Sequence, residues 1–192
     1  MANEITIFNE LVKHKVEGVM FHIDMANIMD FMGLCGFKRE HEYHALKEFA
    51  DMRGIERYAI NHINYMPNAN GANRVVDVIP SGWYNANRFQ VNESDRRNKV
   101  RELYSKWKDW ECDTKCFLEK SFKELVEIGA IASANKVNKL IFDVDMELKH
   151  LEREMIEYNS IGYDMVYIME KQQEMHDYYE DLTKEKIKVE MC

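Results

Sequence analysis

The chain has 192 residues, of which 46% are hydrophobic and 31% charged, a composition typical of a folded globular protein and not of a disordered one. Its 34 acidic and 26 basic side chains give a formal net charge of −8, which disfavours direct binding to a nucleic-acid backbone. Because no apolar run approaches the ~20 residues of a membrane span and no signal-peptide pattern opens the chain, we expect a cytoplasmic protein that has no membrane segment.

The scarcity of turn-forming residues indicates a few long helices. The sequence contains two prolines and eight glycines. Sandwiches and barrels of β-strands need a turn about every ten residues, so these folds are excluded. The four cysteines include no Cys-x-x-Cys pair, which favours reduced thiols over a structural zinc site. We therefore predict an all-α protein.

The first two predicted helices form a hairpin. Helix A covers residues 4–32 and helix B covers 37–66. The link at 33–36 contains two glycines, and such short connections make neighbouring helices antiparallel. Both prolines of the chain fall in the next stretch, 67–92, which also carries Asn-Gly and Ser-Gly turn signals. This stretch is long enough to cross back along a helix bundle.

The second half of the chain predicts another hairpin. Helix C covers 94–128, with Asn92 or Ser94 as its N-cap, and helix D starts near residue 134. Helix D either ends at 159, before a separate helical extension over 163–188, or continues through that point. The whole chain, 1–192, is then one domain: a four-helix bundle of two antiparallel hairpins joined by a long crossover.

Polar side chains inside the apolar stripe of helix B are the strongest functional signal. His41, His44 and Glu48 have the spacing i, i+3, i+7, which places them on one helix face over two turns. His22 falls inside the apolar stripe of helix A. With the hairpin centred near residue 34 or 35, pairing across it puts His22 about level with Glu48 and within about a turn of His44. Imidazoles and a carboxylate that converge from one face suit iron, manganese or zinc.

The other two helices each add a carboxylate near this face. Glu111 lies inside the stripe of helix C, and Glu147 lies on the shoulder of the stripe of helix D, whereas His150 points away. Buried polar groups need partners, which a metal ion or a metal-free hydrogen-bond network could supply. We name the candidate ligands the histidine–carboxylate cluster, which consists of His22, His41, His44, Glu48, Glu111 and Glu147.

Helix B begins with a glycine turn and a histidine-rich motif: residues 33–45 read GLCGFKREHEYHA, and Arg53-Gly54 follows. This stretch resembles the ferritin-like superfamily, including its starvation-protein (Dps) branch. Ferritins carry a similar glycine turn, then Glu-Glu-x-x-His-Ala and a later Arg-Gly. The resemblance implies a bundle with one long crossover, iron or manganese as the bound metal, and oxidation by oxygen or peroxide for storage or detoxification. It also implies a homo-oligomer.

Several positions depart from the ligand pattern of that family. The family's di-iron site takes a carboxylate from each of two helices and Glu-x-x-His from each of the other two. His44 matches the family histidine, but His41 stands where the family has glutamate. On helix D, Glu147 and His150 match by letter, and on helix C Glu111 fits the single carboxylate. We therefore expect a rearranged mononuclear or dinuclear site, or a scaffold without metal.

Two functions remain open at this stage. The first is a metal-binding protein that oxidises or sequesters iron. The alternative is a non-enzymatic helical protein without metal that acts as an oligomeric structural or protein-interaction module. Its contacts would come from a second apolar side of helix A and from Trp83, Tyr84 and Phe89 on the crossover. No motif of a nucleophilic hydrolase, phosphate loop or dinucleotide site is present.

Overall fold

The computed structural model describes residues 3–73 and 92–190, with side chains up to residue 187. These residues form five α-helices and no strand, which confirms the all-α prediction. The fifth is a separate helix, which is one of the two alternatives that the sequence left open. Trp83, Tyr84 and Phe89 of the predicted crossover lie outside the described residues. The helices are α1 (Glu4–Phe31), α2 (Cys35–Ile63), α3 (Glu93–Glu127), α4 (Ile131–Ser160) and α5 (Met165–Glu190).

Local signals explain where these helices begin and end. The side chain of Asn3 caps α1 by accepting from the backbone N–H of Thr6 at 2.8 Å. Asn92, one of the two predicted caps, does the same for α3 with the N–H of Asp95 at 2.9 Å. Gly33 ends α1 with φ of +76°, a left-handed conformation that glycine adopts without strain.

A left-handed turn separates α4 from α5. Gly162 and Tyr163 have φ of +62° and +55°, and they follow the last residue of α4, Ser160. The side chain of Tyr163 is fully buried, so it anchors the turn to the core. The chain therefore breaks where the sequence left continuation of helix D open.

Contacts between helices give their relative directions. As residue numbers rise along α1, the residues of α2 that they contact fall in number, so α1 and α2 are antiparallel. The contacts between α3 and α4 show the same pattern, so this pair is antiparallel too. As residue numbers rise along α2, the contacting residues of α3 and of α5 also rise, so α2 is parallel to both. The contacting pairs are Lys15–Glu48, Asp30–Lys38, Lys108–Glu152, Lys115–Asp145, Phe37–Tyr104, His41–Trp107, Gly36–Gln172 and Arg39–His176.

The core consists of two apolar clusters with a polar layer between them. Buried polar residues on α1, α2 and α3, and the partly buried Glu147 on α4, separate the residues of one cluster from those of the other. The layer therefore lies across the middle of these four helices. One cluster includes Met25, Phe37, Leu103, Trp107 and Leu151; the other includes Phe8, Leu11, Ile55, Leu118 and Val137.

The second apolar side of α1 is covered within the chain itself. Phe21 and Ile28 are buried, and Phe21 stacks on Trp110 of α3 with ring centroids 5.1 Å apart. Ile23 has the helical spacing of the apolar stripe of helix A, but it is 45% exposed. Across residues 3–73 and 92–190, no helix has an apolar stretch long enough to cross a membrane.

Candidate metal centre

Three histidine rings meet at the interface of α1 and α2. His22 Nδ1 lies 3.1 Å from His41 Nδ1, and the rings of His22 and His44 stack with centroids 5.3 Å apart. His22 and His41 are both almost completely buried, and His44 is nearly so. Trp107 of α3 closes this group, because its ring centroid lies 4.8 Å from those of His41 and His44.

Glu111 of α3 is the least satisfied carboxylate of the layer. Its side chain is completely buried, and its Oε1 accepts from the indole N–H of Trp107 at 3.0 Å. His22 Nε2 lies 3.8 Å from the same oxygen. The other oxygen, Oε2, is buried and has no hydrogen-bond partner among the described residues. A buried carboxylate oxygen without a partner is costly, which makes this position a candidate for a ligand.

Glu147 of α4 already has a cationic partner. Its Oε1 lies 3.3 Å from His44 Nδ1 and accepts a hydrogen bond from the ammonium of Lys47. Burial acts to raise the pKa of Glu147, but His44 and Lys47 outweigh it and lower the pKa below its ordinary value. Glu147 therefore remains an anion at neutral pH.

Glu48 also has a cationic partner, the buried Lys15 of α1. The Lys15 ammonium is 3.0 Å from Glu48 Oε2 and 3.0 Å from Asp51 Oδ2. Burial alone lowers the pKa of Lys15, but the two carboxylates raise it above its ordinary value, so the lysine stays charged. Gly18 makes room for this arrangement, because a Cβ there would come within 2.9 Å of Glu48 Oε2.

The pairing of His22 with Glu48 was wrong by about one helical turn. Glu48 faces Gly18 and Lys15, while His22 faces His41 and His44. The prediction centred the hairpin near residue 34 or 35. The turn between α1 and α2 is centred at Gly33, which shifts every pair toward the start of α1.

The ionisation of the buried groups acts on metal ligation in two directions: the low pKa values of the imidazoles favour it, and the raised pKa of Glu111 opposes it, because a carboxyl must lose its proton to bind a metal. Burial lowers the pKa of His41 to about 3, with a further contribution from His44, and lowers the pKa of His22 well below its usual range. Both imidazoles are therefore neutral at pH 7, the form that binds metals. Burial also raises the pKa of Glu111 well above its ordinary value, with the charges of Glu147 and Glu48 adding to the effect.

The donor types suit a divalent transition metal, but their atoms do not converge on one point: among the described residues, the groups with three ligand atoms within 4.8 Å of one another lie elsewhere. Two nitrogens on one metal at about 2.1 Å lie roughly 3.0 to 3.4 Å apart, so the separation of His22 and His41 suits shared coordination as well as a hydrogen bond. Neutral imidazoles and a carboxylate are ligands that iron, manganese and zinc accept. The positive charge of such an ion would stabilise ionised Glu111 and supply a partner for its free oxygen.

The structure brings all six residues of the histidine–carboxylate cluster into the polar layer, but sequence reasoning missed the two lysines. Lys15 was detectable, because Leu11, Lys15, Gly18 and His22 lie at helical spacing along one stripe of α1. Lys47 gave no such signal: it lies three residues from His44 on a face that the sequence pattern marks as polar.

His150 lies apart from the cluster, as the helical wheel indicated. Its Nε2 is 3.5 Å from Glu154 Oε1 and 3.5 Å from the hydroxyl of Tyr179 in α5. Glu147 and His150 therefore serve different groups, although they match Glu-x-x-His by letter.

Comparison of the chain with protein-family models, with curated proteins and with solved structures finds no match in any of the three. The resemblance to the ferritin-like superfamily rests on residues 33–54 and remains a prediction.

Proposed function

We propose that this chain is a ferritin-like metal-binding protein that holds iron or manganese in the polar layer between its two apolar clusters. The observation that carries the proposal is Glu111, fully buried with one oxygen unpartnered among the described residues and the other beside His22. His41 and His44 add further imidazole nitrogens beside His22. Glu147 borders the group through His44, and the ammonium of Lys47 balances its charge.

The charges of the layer favour one metal ion over two. The ammonium groups of Lys15 and Lys47 already neutralise Glu48 and Glu147. A second divalent ion beside these lysines would suffer like-charge repulsion at short range. Glu48 then serves the Lys15 ion pair, and the candidate ligands of the metal are His22, His41, His44 and Glu111. Because His22 faces His41 with Nδ1 and Glu111 with Nε2, the His22 ring must turn for His41 and Glu111 to share one ion with it.

The directions of the helices support a bundle with a long crossover. Within each hairpin the helices are antiparallel, while α2 and α3, which the stretch 64–92 connects, are parallel. A long connection is what two parallel helices require. We propose that α1 to α4 form the four-helix bundle and that α5 is an additional helix packed on α2.

Bound iron or manganese would supply redox chemistry with dioxygen or peroxide, to which each ferrous ion gives one electron. The chain's own residues prepare the site for it. Trp107 orients Glu111 through its indole N–H and covers His41 and His44 with its ring. The apolar clusters on both sides keep bulk water away, so charge interactions inside the layer are strong.

Metal content tests the proposal. Protein purified without an affinity tag from cells grown with added iron and manganese is analysed by elemental mass spectrometry, and the expected content attributable to the cluster is about one ion per chain. The variant His41→Gln should lose that ion, since it removes a nitrogen ligand while keeping a polar side chain. His14→Gln is the matched control, because His14 is a partly buried histidine of α1 that contacts Thr114, outside the cluster.

A folded wild-type protein that holds no ion at the cluster would contradict the proposal, as would equal metal content in wild type and His41→Gln. Aerobic oxidation of ferrous iron provides the functional measurement. We expect the wild type to accelerate the appearance of ferric absorbance, and His41→Gln to return the rate to that of buffer.

A metal-free oligomeric or interaction module is the second candidate, and exposed apolar residues on α4 favour it. Phe142 and Ile156 are 65% and 69% exposed, and Met146 lies one turn after Phe142. Large exposed apolar side chains in this arrangement are typical of contact surfaces. If the chain forms a homo-oligomer through α4, Phe142→Glu should lower the mass measured by light scattering. An unchanged mass would remove this surface from consideration.

A further inference from the structure

A second group of potential ligands lies where α2 faces α4 and α5. Glu40, His150 and Glu154 each present one ligand atom, and these three atoms all lie within 4.8 Å of one another. Glu40 is completely buried, and the other two are partly buried. Residues about 110 positions apart in sequence therefore converge on one point.

The contacts of this group leave one carboxylate oxygen unused. Tyr179 donates its hydroxyl hydrogen to Glu40 Oε1 at 2.8 Å, and Tyr104 approaches Glu40 Oε2 at 3.4 Å. His150 Nε2 faces Glu154 Oε1 at 3.5 Å. Glu154 Oε2 is buried without a hydrogen-bond partner in the part of the chain that the structure describes.

The charge balance of the group differs from that of the main cluster. Glu48 and Glu147 each have a lysine ammonium, whereas among the described residues neither Glu40 nor Glu154 forms an ion pair with a lysine or arginine. Two neighbouring carboxylates without a cation repel each other when both are ionised. A divalent cation would neutralise both carboxylates at once.

The group is accessible from the surface. His150, Glu154 and Tyr179 line a surface cavity of about 320 Å³ between α4 and α5. Such a volume admits a hydrated cation together with water ligands. Glu40 closes the inner end of the group, because its carboxylate is buried behind Tyr179.

We propose that Glu40, His150 and Glu154 form a second metal site, for a divalent transition cation of the Zn²⁺ or Mn²⁺ class. One imidazole nitrogen and two carboxylates are a donor set that these ions accept, and three protein ligands leave positions for water. The site shares no ligand with the site of the function proposed above, although His44 lies near enough to act electrostatically on both Glu40 and His150. Glu40 and His41 are sequence neighbours, but their side chains project roughly 100° apart around α2 and serve different groups.

Zinc binding by the full chain tests this proposal. Metal-free protein carrying His41→Gln, which disables the main cluster, is titrated with Zn²⁺ alone in a calorimeter. We expect about one equivalent to bind. Adding Glu154→Gln should weaken this binding by about tenfold or more, because it removes a ligand without changing side-chain size. Glu157→Gln is the matched control, since Glu157 lines the same cavity but is not part of the group.

The outcomes separate the two metal sites. If the His41→Gln protein binds no Zn²⁺, or if Glu154→Gln and Glu157→Gln weaken binding equally, the second site is refuted while the main cluster remains as proposed. If the His41→Gln protein binds as many ions as the wild type, the main cluster fails and the second site stands. Circular dichroism verifies folding, and His150→Gln provides a second variant that must also lose the ion.

Discussion

Replacement of Lys15 by methionine should destabilise the protein strongly. The Lys15 side chain is 2% exposed, and its ammonium is 3.0 Å from both Glu48 and Asp51. Methionine fills a similar volume but leaves the buried Glu48 carboxylate without its cation. Breaking a buried ion pair by removing one partner costs about 3 to 5 kcal/mol, a large part of the roughly 5 to 15 kcal/mol that stabilises a typical domain.

The assay is urea and thermal unfolding of metal-free protein, followed by circular dichroism. For a chain of this length a loss of 1 kcal/mol lowers Tm by about 2 to 4 °C, so Lys15→Met should lower Tm by roughly 6 to 20 °C. Adding Glu48→Gln removes the stranded charge and should recover a large share of the loss. Lys13→Met is the control on the same helix, because the Lys13 ammonium makes only a 4.0 Å contact with the exposed Glu10.

Two results would refute this reasoning. One is a loss of less than about 1 kcal/mol for Lys15→Met, which would mean that Glu48 finds water or another partner. The other is a double variant no more stable than Lys15→Met alone, since the cost would then come from lost packing and not from the unpaired carboxylate.

Three further predictions concern the interior outside the candidate metal sites. Burial, with a contribution from Lys15, lowers the pKa of His14 to about 3. As pH drops from about 6.5 toward 3, the unfolded chain therefore binds a proton that the folded chain does not, and the stability falls. In urea unfolding, His14→Gln should lose less stability at acid pH than wild type, and equal losses would contradict the lowered pKa. Gly36→Ala places a Cβ 2.6 Å from the backbone oxygen of Gln172. We expect it to lower the free energy of unfolding by about 1 to 3 kcal/mol, measured by thermal unfolding. An unchanged free energy would mean that α5 shifts away from α2 at no cost. Gln172→Ala removes the acceptor of two N–H groups at the start of α2, at 2.8 and 3.1 Å, and should cost about 1 to 2 kcal/mol in the same assay; an unchanged Tm would show that water replaces the amide.

The helices could be predicted because their signals are local. Asn92 precedes a long amphipathic segment, and Gly33 supplies the left-handed residue that ends α1. The faces of the helices followed from periodicity as well, so His41 and His44 could be assigned to the interior from their spacing alone. Ile23 is exposed although its spacing matches the apolar stripe of α1. The second half of α1 is apolar on nearly all sides, so the helical periodicity does not show which apolar residues face solvent.

The partners of the buried groups could not be predicted, because they depend on how helices pack. Glu40 was not considered, since the tyrosine that donates to it, Tyr179, lies 139 residues later on a helix whose position no local pattern indicates. The hairpin register was wrong because a shift of one or two residues in the turn centre displaces every cross-helix pair by two to four residues. As a result, Lys15 lies beside Glu48 where His22 was expected. Because the ammonium of Lys15 already balances the Glu48 carboxylate, fewer negative charges remain for a metal than the number of carboxylates in the cluster implies.

A crystal grown in the presence of Mn²⁺ and measured for anomalous scattering of that ion tests the central claim most directly. The account predicts an anomalous peak within coordination distance of Glu111 and His41, with the second site adding a separate peak at Glu154. A crystal of the His41→Gln variant, grown and measured in the same way, should show only the peak at Glu154. A well-ordered wild-type structure in which Glu111 and His22 contact each other or water, with no anomalous peak between them, would contradict the account.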